Sequence, residues 1–327
     1  MRFVAATHNI MDGVLWKKLL RHYVDLNVSL SHHPLGILNL QENVQVQPDE
    51  PLSTSTSTPS LSSTKRKTTC ADLIAQALGS EYQVISMPSK DARLATIYNT
   101  KHFQLVGKPH VFKLPRLATL PTWNKIFIKS GQIEQKNALV CDFQCISNET
   151  KRDKPASIIR NINFHLDAAG NNQHRTKQMQ SLLTAMKMNT GAKNRETDNT
   201  TGTEEVKLND IETKLTSSPL HHIISGDTNI FHLSNTQQQV ELKNALDCLL
   251  PMVSSDDIEL TRPTHWFARA NENSAIHQLG VFVGNYLGID RPQAYDVVLT
   301  NLKIIKRGQI STDDCSDHDL VYAVVDV

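Results

Sequence analysis

Short apolar runs of strand length alternate with polar stretches along most of this chain. Phe3–Ala6 is the first such run and leads into Thr7-His8-Asn9. Leu15–Val28 changes period: Leu15, Leu19, Leu20 and Tyr23 recur at helical spacing, with Lys17, Lys18, Arg21 and His22 opposite. Leu35–Leu40 predicts a second strand ending at Gln41-Glu42, and Ala71–Leu78 a helix stopped by Gly79. Tyr82–Ser86 and Leu94–Tyr98 predict one strand pair, Ala138–Phe143 and Ile158–Leu166 another. An amphipathic helix over Arg175–Met188 carries Met179, Leu182, Leu183 and Met186 on one face. A strand at His221–Ser225, a helix at Gln237–Leu250 and final strands at Tyr295–Thr300 and Leu320–Val325 complete the pattern.

Strands that pair in runs between helices favour a layered α/β (α+β) sandwich over a doubly wound parallel sheet. Residues 47–67 are rich in Pro, Ser and Thr, and 189–216 are polar without periodicity. Both lack the apolar surface that offsets ordering entropy, and are expected to be disordered insertions in a single domain spanning 1–327.

Composition narrows the class. The 34 Lys+Arg against 33 Asp+Glu leave a net charge of +1, so an anionic substrate must be held by a local patch and not by a global field. The five cysteines are odd in number and scattered, which reads as reduced thiols. Cys141 and Cys145 have no second pair and do not make a zinc site. Met1–Ala6 is too short and too quickly polar for a secretory signal. No run approaches the roughly 18 apolar residues of a membrane helix. An intracellular setting, cytoplasmic or nuclear, and a monomer without an integral membrane segment are expected.

The chemistry sits where strands end. Asn9, Glu42, His165, Asp227 with Asn229, Asp296, and Asp317 with His318 each lie at or near the end of an apolar run. Any one of these has an ordinary structural reading: a solvated carboxylate, an Asx-turn, a core histidine. Their recurrence at strand ends points instead to a shared cleft. Hard oxygen donors there suit Mg²⁺, and imidazole beside carboxylate suits charge stabilisation at phosphate. Asp227 and Asn229, two apart, would point to one side in extended backbone.

In order, the motifs are Thr7-His8-Asn9, Leu40-Gln41-Glu42, Asn163-Phe164-His165-Leu166-Asp167, Gly226-Asp227-Thr228-Asn229, Tyr295-Asp296-Val297-Val298-Leu299 and Ser316-Asp317-His318. This ordered set resembles the endonuclease/exonuclease/phosphatase (DNase I-like) superfamily over most of the chain, the two polar insertions excepted. His8 departs from the pattern, standing where the family often has an aromatic. The resemblance implies a four-layer sandwich of two mixed β-sheets flanked by helices. It also implies a Mg²⁺-dependent (Mn²⁺ possible) phosphodiester hydrolase, most often a nuclease. Glu42, Asn9 and Asp317 would hold the metal. Asp227 would activate water, Asn229 and His318 would hold the phosphate, and Asp296 would polarise His318. His165 and Arg175, ten residues on, would contact the phosphate. Two alternatives stand beside this: a phosphatase or phospholipase C-type enzyme on inositol phosphates or sphingolipids, and an inactive binding module on the same fold.

Overall fold

The structure, a computed structural model, describes residues 1–10, 16–29, 32–46, 68–87, 93–117, 136–146, 157–167, 171–188, 220–230, 235–252, 295–312, 316 and 318–327. The expected insertions 47–67 and 189–216, and Asp317, lie outside the described residues. The elements run β1 (Arg2–Asn9), α1 (Trp16–Ser29), β2 (Leu35–Gln41), α2 (Cys70–Leu78), β3 (Tyr82–Ser86), β4 (Ala95–Asn99) and β5 (Phe103–Lys113). They continue with β6 (Asn137–Cys145), β7 (Ile158–His165), α3 (Asn172–Lys187), β8 (Leu220–Asp227), α4 (Asn235–Leu246), a 3₁₀ turn (Asp247–Met252), β9 (Asp296–Thr300), β10 (Lys303–Ile310) and β11 (Leu320–Asp326). No described helix is long and apolar enough to cross a membrane.

The strands form two mixed sheets. One has six strands in the order β10-β11-β1-β2-β4-β3, the other five in the order β5-β6-β7-β8-β9. Each contains one parallel pair, β1 with β2 and β7 with β8. Strands β5 and β10 escaped the sequence pattern. Both are sheet edges, and both carry lysines and a register shift that break alternation. Gly107 (φ 69°) and Pro109 fall in the irregular stretch of β5, where neither breaks a central ladder.

Three apolar clusters divide the strand faces. Val4, Ala6, Leu38, Leu40 and Ile97 pack under α1 and α2 through Leu19, Tyr23 and Ile74. Val140, Ile162, Phe164 and Ile224 pack under α3 and α4 through Met179, Leu182 and Leu242. Phe3, Ala5, Ile37, Ile159, Ile223, Val298 and Ala323 meet between the sheets. The result is a four-layer sandwich, helix–sheet–sheet–helix. The helices are set by local chemistry. Thr69 and Asp72 form a capping box at the start of α2, and Asn171 caps α3 by accepting from the His174 amide at 2.8 Å. At the far end of α3 the buried Arg160 grips Asp142 with two 2.8 Å bonds, and its remaining nitrogen donates to the carbonyls of Met186 and Met188.

Along the inner faces, period-2 alternation carries a change of polarity. β2 reads Ile37, Asn39, Gln41, and β7 reads Ile159, Asn161, Asn163, His165. Asn39 donates to Asn161 Oδ1 at 2.9 Å and to Ser225 Oγ at 2.7 Å, while Thr96 donates to Asn39 Oδ1 at 2.7 Å. One step nearer the strand ends, Gln41 donates to Asn163 Oδ1 at 2.8 Å and to Thr7 Oγ1 at 3.0 Å. Asn163 in turn donates to the carbonyls of Leu40 and Ala95. The sheets are thus joined by apolar contact at one end and by saturated hydrogen bonds at the other.

Asn39→Ala should be destabilising out of proportion to its size. It leaves buried groups on Asn161, Ser225 and Thr96 short of partners, and each such group costs about 1–3 kcal/mol. The urea midpoint should fall clearly; an unchanged midpoint would show that the inter-sheet amides contribute nothing to stability.

Candidate active site

At the polar end of the sandwich, the parallel pairs bring their C-terminal ends together. Asn9 pairs with Gln41 on one sheet, and His165 with Asp227 on the other. The two ends face each other, and the Asp227 carboxylate is the centre. Its Oδ2 accepts from Asn9 Nδ2 at 3.0 Å and Asn229 Nδ2 at 3.4 Å; His165 Nε2 stands at 3.5 Å and His318 Nε2 at 3.8 Å. Its Oδ1 accepts the Asn229 amide at 2.7 Å. Burial pushes this carboxyl upward, but His318, His165 and the bonds from Asn9 and Asn229 more than offset that, so its pKa lies below the ordinary value. Asp227 is therefore ionised at neutral pH.

Gly226 makes this placement possible. A Cβ there would meet the Phe164 carbonyl oxygen at 1.9 Å, so no other residue lets β8 approach β7 this closely. Asn229 reaches the same side as Asp227, though not through extended backbone. It sits in the left-handed region (φ 49°), and the Asx-turn closed by its own amide folds it back. Its carboxamide also donates to the Leu166 carbonyl at 3.0 Å, tying β8 to the end of β7.

Glu42, one residue past β2, is likewise left-handed (φ 57°), an uncommon conformation for a non-glycine residue. The turn aims its carboxylate inward, where Oε1 accepts from Asn9 Nδ2 at 3.2 Å and lies 3.9 Å from His165 Nε2. Unlike Asp227, this side chain remains 26% exposed. The partly open Glu42 carboxylate is a hard oxygen donor of the kind Mg²⁺ prefers, and Asn9, whose nitrogen donates to both carboxylates, could add only its carboxamide oxygen.

His318 and Asp296 meet at 2.7 Å, Nδ1 to Oδ2. The sequence places Asp296 on a strand just ahead of the last one. In fact β10 intervenes, and Asp296 opens β9 in one sheet while His318 precedes β11 in the other. Their contact spans the sandwich. Asp296 Oδ2 engages Nδ1, which leaves Nε2 facing Asp227. Tyr295, which the sequence reading names only as the start of a strand and motif, lies against the imidazole with ring centroids 5.7 Å apart. Atoms of Asp227, Asp296 and His318 also come within 4.8 Å of one another, although the Asp296–His318 bond already engages one atom of each.

His165 closes the site. Burial, with Lys136 nearby, pushes its imidazole down to about 3 despite the pull of Asp227, so it is neutral under ordinary conditions. Lys136 and Arg93 are the cations beside it that the sequence reading missed. They stand just before β6 and β4, and only strand pairing brings them here. Arg175 is in the first turn of α3 and buried. Its Nε donates to the Asp167 carbonyl at 2.9 Å and its Nη1 to Asn172 at 2.8 Å, so it braces the loop after β7.

Two imidazoles held neutral, His165 and His8 (also pushed down to about 3 by burial), make the fold acid-sensitive. The unfolded chain takes up these protons below about 6.5, while the folded chain refuses them until about 3. Stability should fall as pH drops through that window, by up to about 1.4 kcal/mol per pH unit for each imidazole. Asp227 does not oppose this, since its own contribution is lost only below its ordinary value of 3.8. Urea midpoints at pH 7 and pH 5 should differ less in His165→Gln than in the parent; equal differences would contradict the burial of a neutral His165.

No protein-family model matches this chain, and no curated protein sequence matches it. Solved structures do. An endonuclease/exonuclease/phosphatase family protein from Leptotrichia buccalis C-1013-b superposes with a TM-score of 0.52 at 11% identity, over 99% of this chain and 100% of that one. TDP2 of D. rerio, complexed with a single-strand DNA product, superposes at 0.50 with 10% identity, over 100% of this chain and 99% of that one. The likeness is one of fold, two mixed sheets packed face to face with helices outside. The chain has the DNase I-like fold.

Proposed function

We propose that this chain is a divalent-metal-dependent phosphodiester hydrolase acting on nucleic acid, in which water attacks the phosphorus in line as the opposite P–O bond breaks and the departing alkoxide takes up a proton from solvent. The supporting observation is the buried, ionised Asp227 with the Asp296–His318 pair aimed at it from the opposite sheet. Residues 1–327 then act as one catalytic domain, monomeric and intracellular, with 47–67 and 189–216 as insertions. Glu42 and Asn9 would hold Mg²⁺ or Mn²⁺, joined by Asp317. When bound, the ion stabilises negative charge building on the phosphate oxygens.

The protein's own groups divide the remaining work. Asp227 accepts hydrogen bonds on both oxygens and would take a proton from the attacking water. His318, in its imidazolium form with Nδ1–H held by Asp296, would donate from Nε2–H to a non-bridging oxygen. Asn229 and neutral His165 hold the phosphate beside it. Arg175 contributes from behind the Asp167 loop, where its positive charge is felt by Asp227. Nucleic acid is the first substrate to offer because one protein with this fold, D. rerio TDP2, is bound to a single-strand DNA product.

A panel of single-stranded DNA, abasic DNA, poly(A), 5′-tyrosyl DNA, inositol phosphates and sphingomyelin, each with Mg²⁺, tests the substrate class. Turnover confined to the last two would replace nucleic acid with a phosphatase or phospholipase reading. EDTA should abolish turnover, and Mg²⁺ or Mn²⁺ should restore it.

Glu42→Gln and His318→Ala should each lower turnover by about 10²-fold or more, the scale for losing one preorganised charge-stabilising group. Circular dichroism should stay near that of the parent in both; the urea midpoint should hold in Glu42→Gln and fall in His318→Ala, which takes the 2.7 Å bond from buried Asp296. A folded His318→Ala protein with parental turnover on the substrate the panel selects would remove His318 from the reaction.

A further inference from the structure

His8 stands where the family often has an aromatic, and the proposed reaction does not use it. On β1 it alternates with Asn9, is fully buried, and meets Tyr23 of α1, a member of the apolar cluster under α1 and α2. An imidazole in an apolar layer has an ordinary explanation as a core residue satisfied by a neighbour. Its partners argue for more. Nε2 lies 3.0 Å from the backbone carbonyl of His318, and Nδ1 lies 2.5 Å from the Tyr23 hydroxyl of α1. A carbonyl can only accept, so Nε2 carries the proton and Nδ1 is the acceptor, which obliges Tyr23 to donate. Thr312 donates to the same carbonyl and lies 3.2 Å from His8 Nε2.

The segment carrying His318 is fastened at further points. Ser316 Oγ donates to the Asn9 carbonyl at 2.7 Å and accepts the His318 amide at 3.2 Å. The His318 peptide is therefore gripped on its N–H side by Ser316 and on its C=O side by His8 and Thr312. Both grips originate on or reach the C-terminal end of β1, next to Asn9. An aromatic residue at position 8 would fill the same space without donating to that carbonyl.

We propose that His8, oriented by Tyr23, is a positioning residue that fixes the His318 peptide and so sets the imidazole's placement against Asp227. The inference rests on the hydrolase reading for its kinetic consequence, though not for the contact itself.

The test uses the full chain with Mg²⁺ and bis(p-nitrophenyl) phosphate, plus the substrate selected by the panel. His8→Phe should lower kcat by about 10- to 100-fold, the scale for displacing a catalytic group by about an ångström, with KM changed less than about twofold. His8→Gln, whose amide can still donate to the carbonyl, should recover most of that loss. Tyr23→Phe should fall between His8→Phe and the parent. Hydrogen–deuterium exchange supplies a readout independent of activity: in His8→Phe the amides of 316–320 should exchange at least about 10-fold faster, while α2 stays unchanged. If His8→Phe fails to fold, Tyr23→Phe and His8→Gln carry both measurements. Unchanged exchange at 316–320 overturns the proposal, whatever the activity. Equal losses of kcat in His8→Phe and His8→Gln also overturn it, since that pattern marks general disruption of packing. A parent inactive on every phosphoester would refute the hydrolase reading, and exchange alone would then decide whether His8 holds the loop.

Discussion

The inner faces of the two sheets must satisfy two demands at once: they exclude water, and at one end they hold a buried ionised carboxylate. An isolated charge there would be costly to desolvate. The structure meets both by a gradient. Phe3, Ile37, Ile159 and Ile223 seal the far end; Asn39, Asn161 and Ser225 follow; Gln41, Asn163 and Thr7 come next; Asn9, His165 and Asp227 stand at the opening. Each polar rank is saturated by bonds that cross from one sheet to the other. These amides therefore act as fasteners and fix the spacing of the site, since a carboxamide bridge at 2.8–2.9 Å tolerates little sliding.

Pre-organisation follows from that fixed spacing. Asn9 donates to both Glu42 and Asp227, so one carboxamide sets the separation of two carboxylates that come from different sheets. The left-handed backbones of Glu42 and Asn229 are held in place by these contacts, and both lie at the site. Strain of this kind persists where the surroundings over-determine it. The Asp296–His318 bond is a further crossing between the sheets, so the cleft is laced on more than one side.

Much of this could be read along the chain. Most strands and every helix of the description appear at nearly the boundaries that periodicity predicts, because each has one face against an apolar layer. The missed strands, β5 and β10, are edges whose exposure erases alternation. The site residues Asn9, Glu42, His165, Asp227, Asn229, Asp296 and His318 could be selected because chemistry at strand ends is recurrent and ordered. The signal for the inter-sheet amides was also present, in the alternation Asn161-Ile162-Asn163-Phe164-His165 and Asn39-Leu40-Gln41, where polar residues hold every second position of a buried strand. An amide in a strand reads equally well as solvent-facing, and one strand cannot say which face is covered on both sides.

What the sequence by itself determined is local: periodicity sets each element, glycine at 226 permits the close approach of β8 to β7, and hard oxygen and imidazole groups gather at strand ends. Pairings across sequence distance were decided only by tertiary structure. Asp296 meets His318 from the opposite sheet, Lys136 and Arg93 arrive beside His165, and His8 reaches the His318 carbonyl with Tyr23 behind it. The physical reason is common to all of them. Strand order and register place these residues side by side, and both depend on the packing of whole sheets, which no local run of residues encodes.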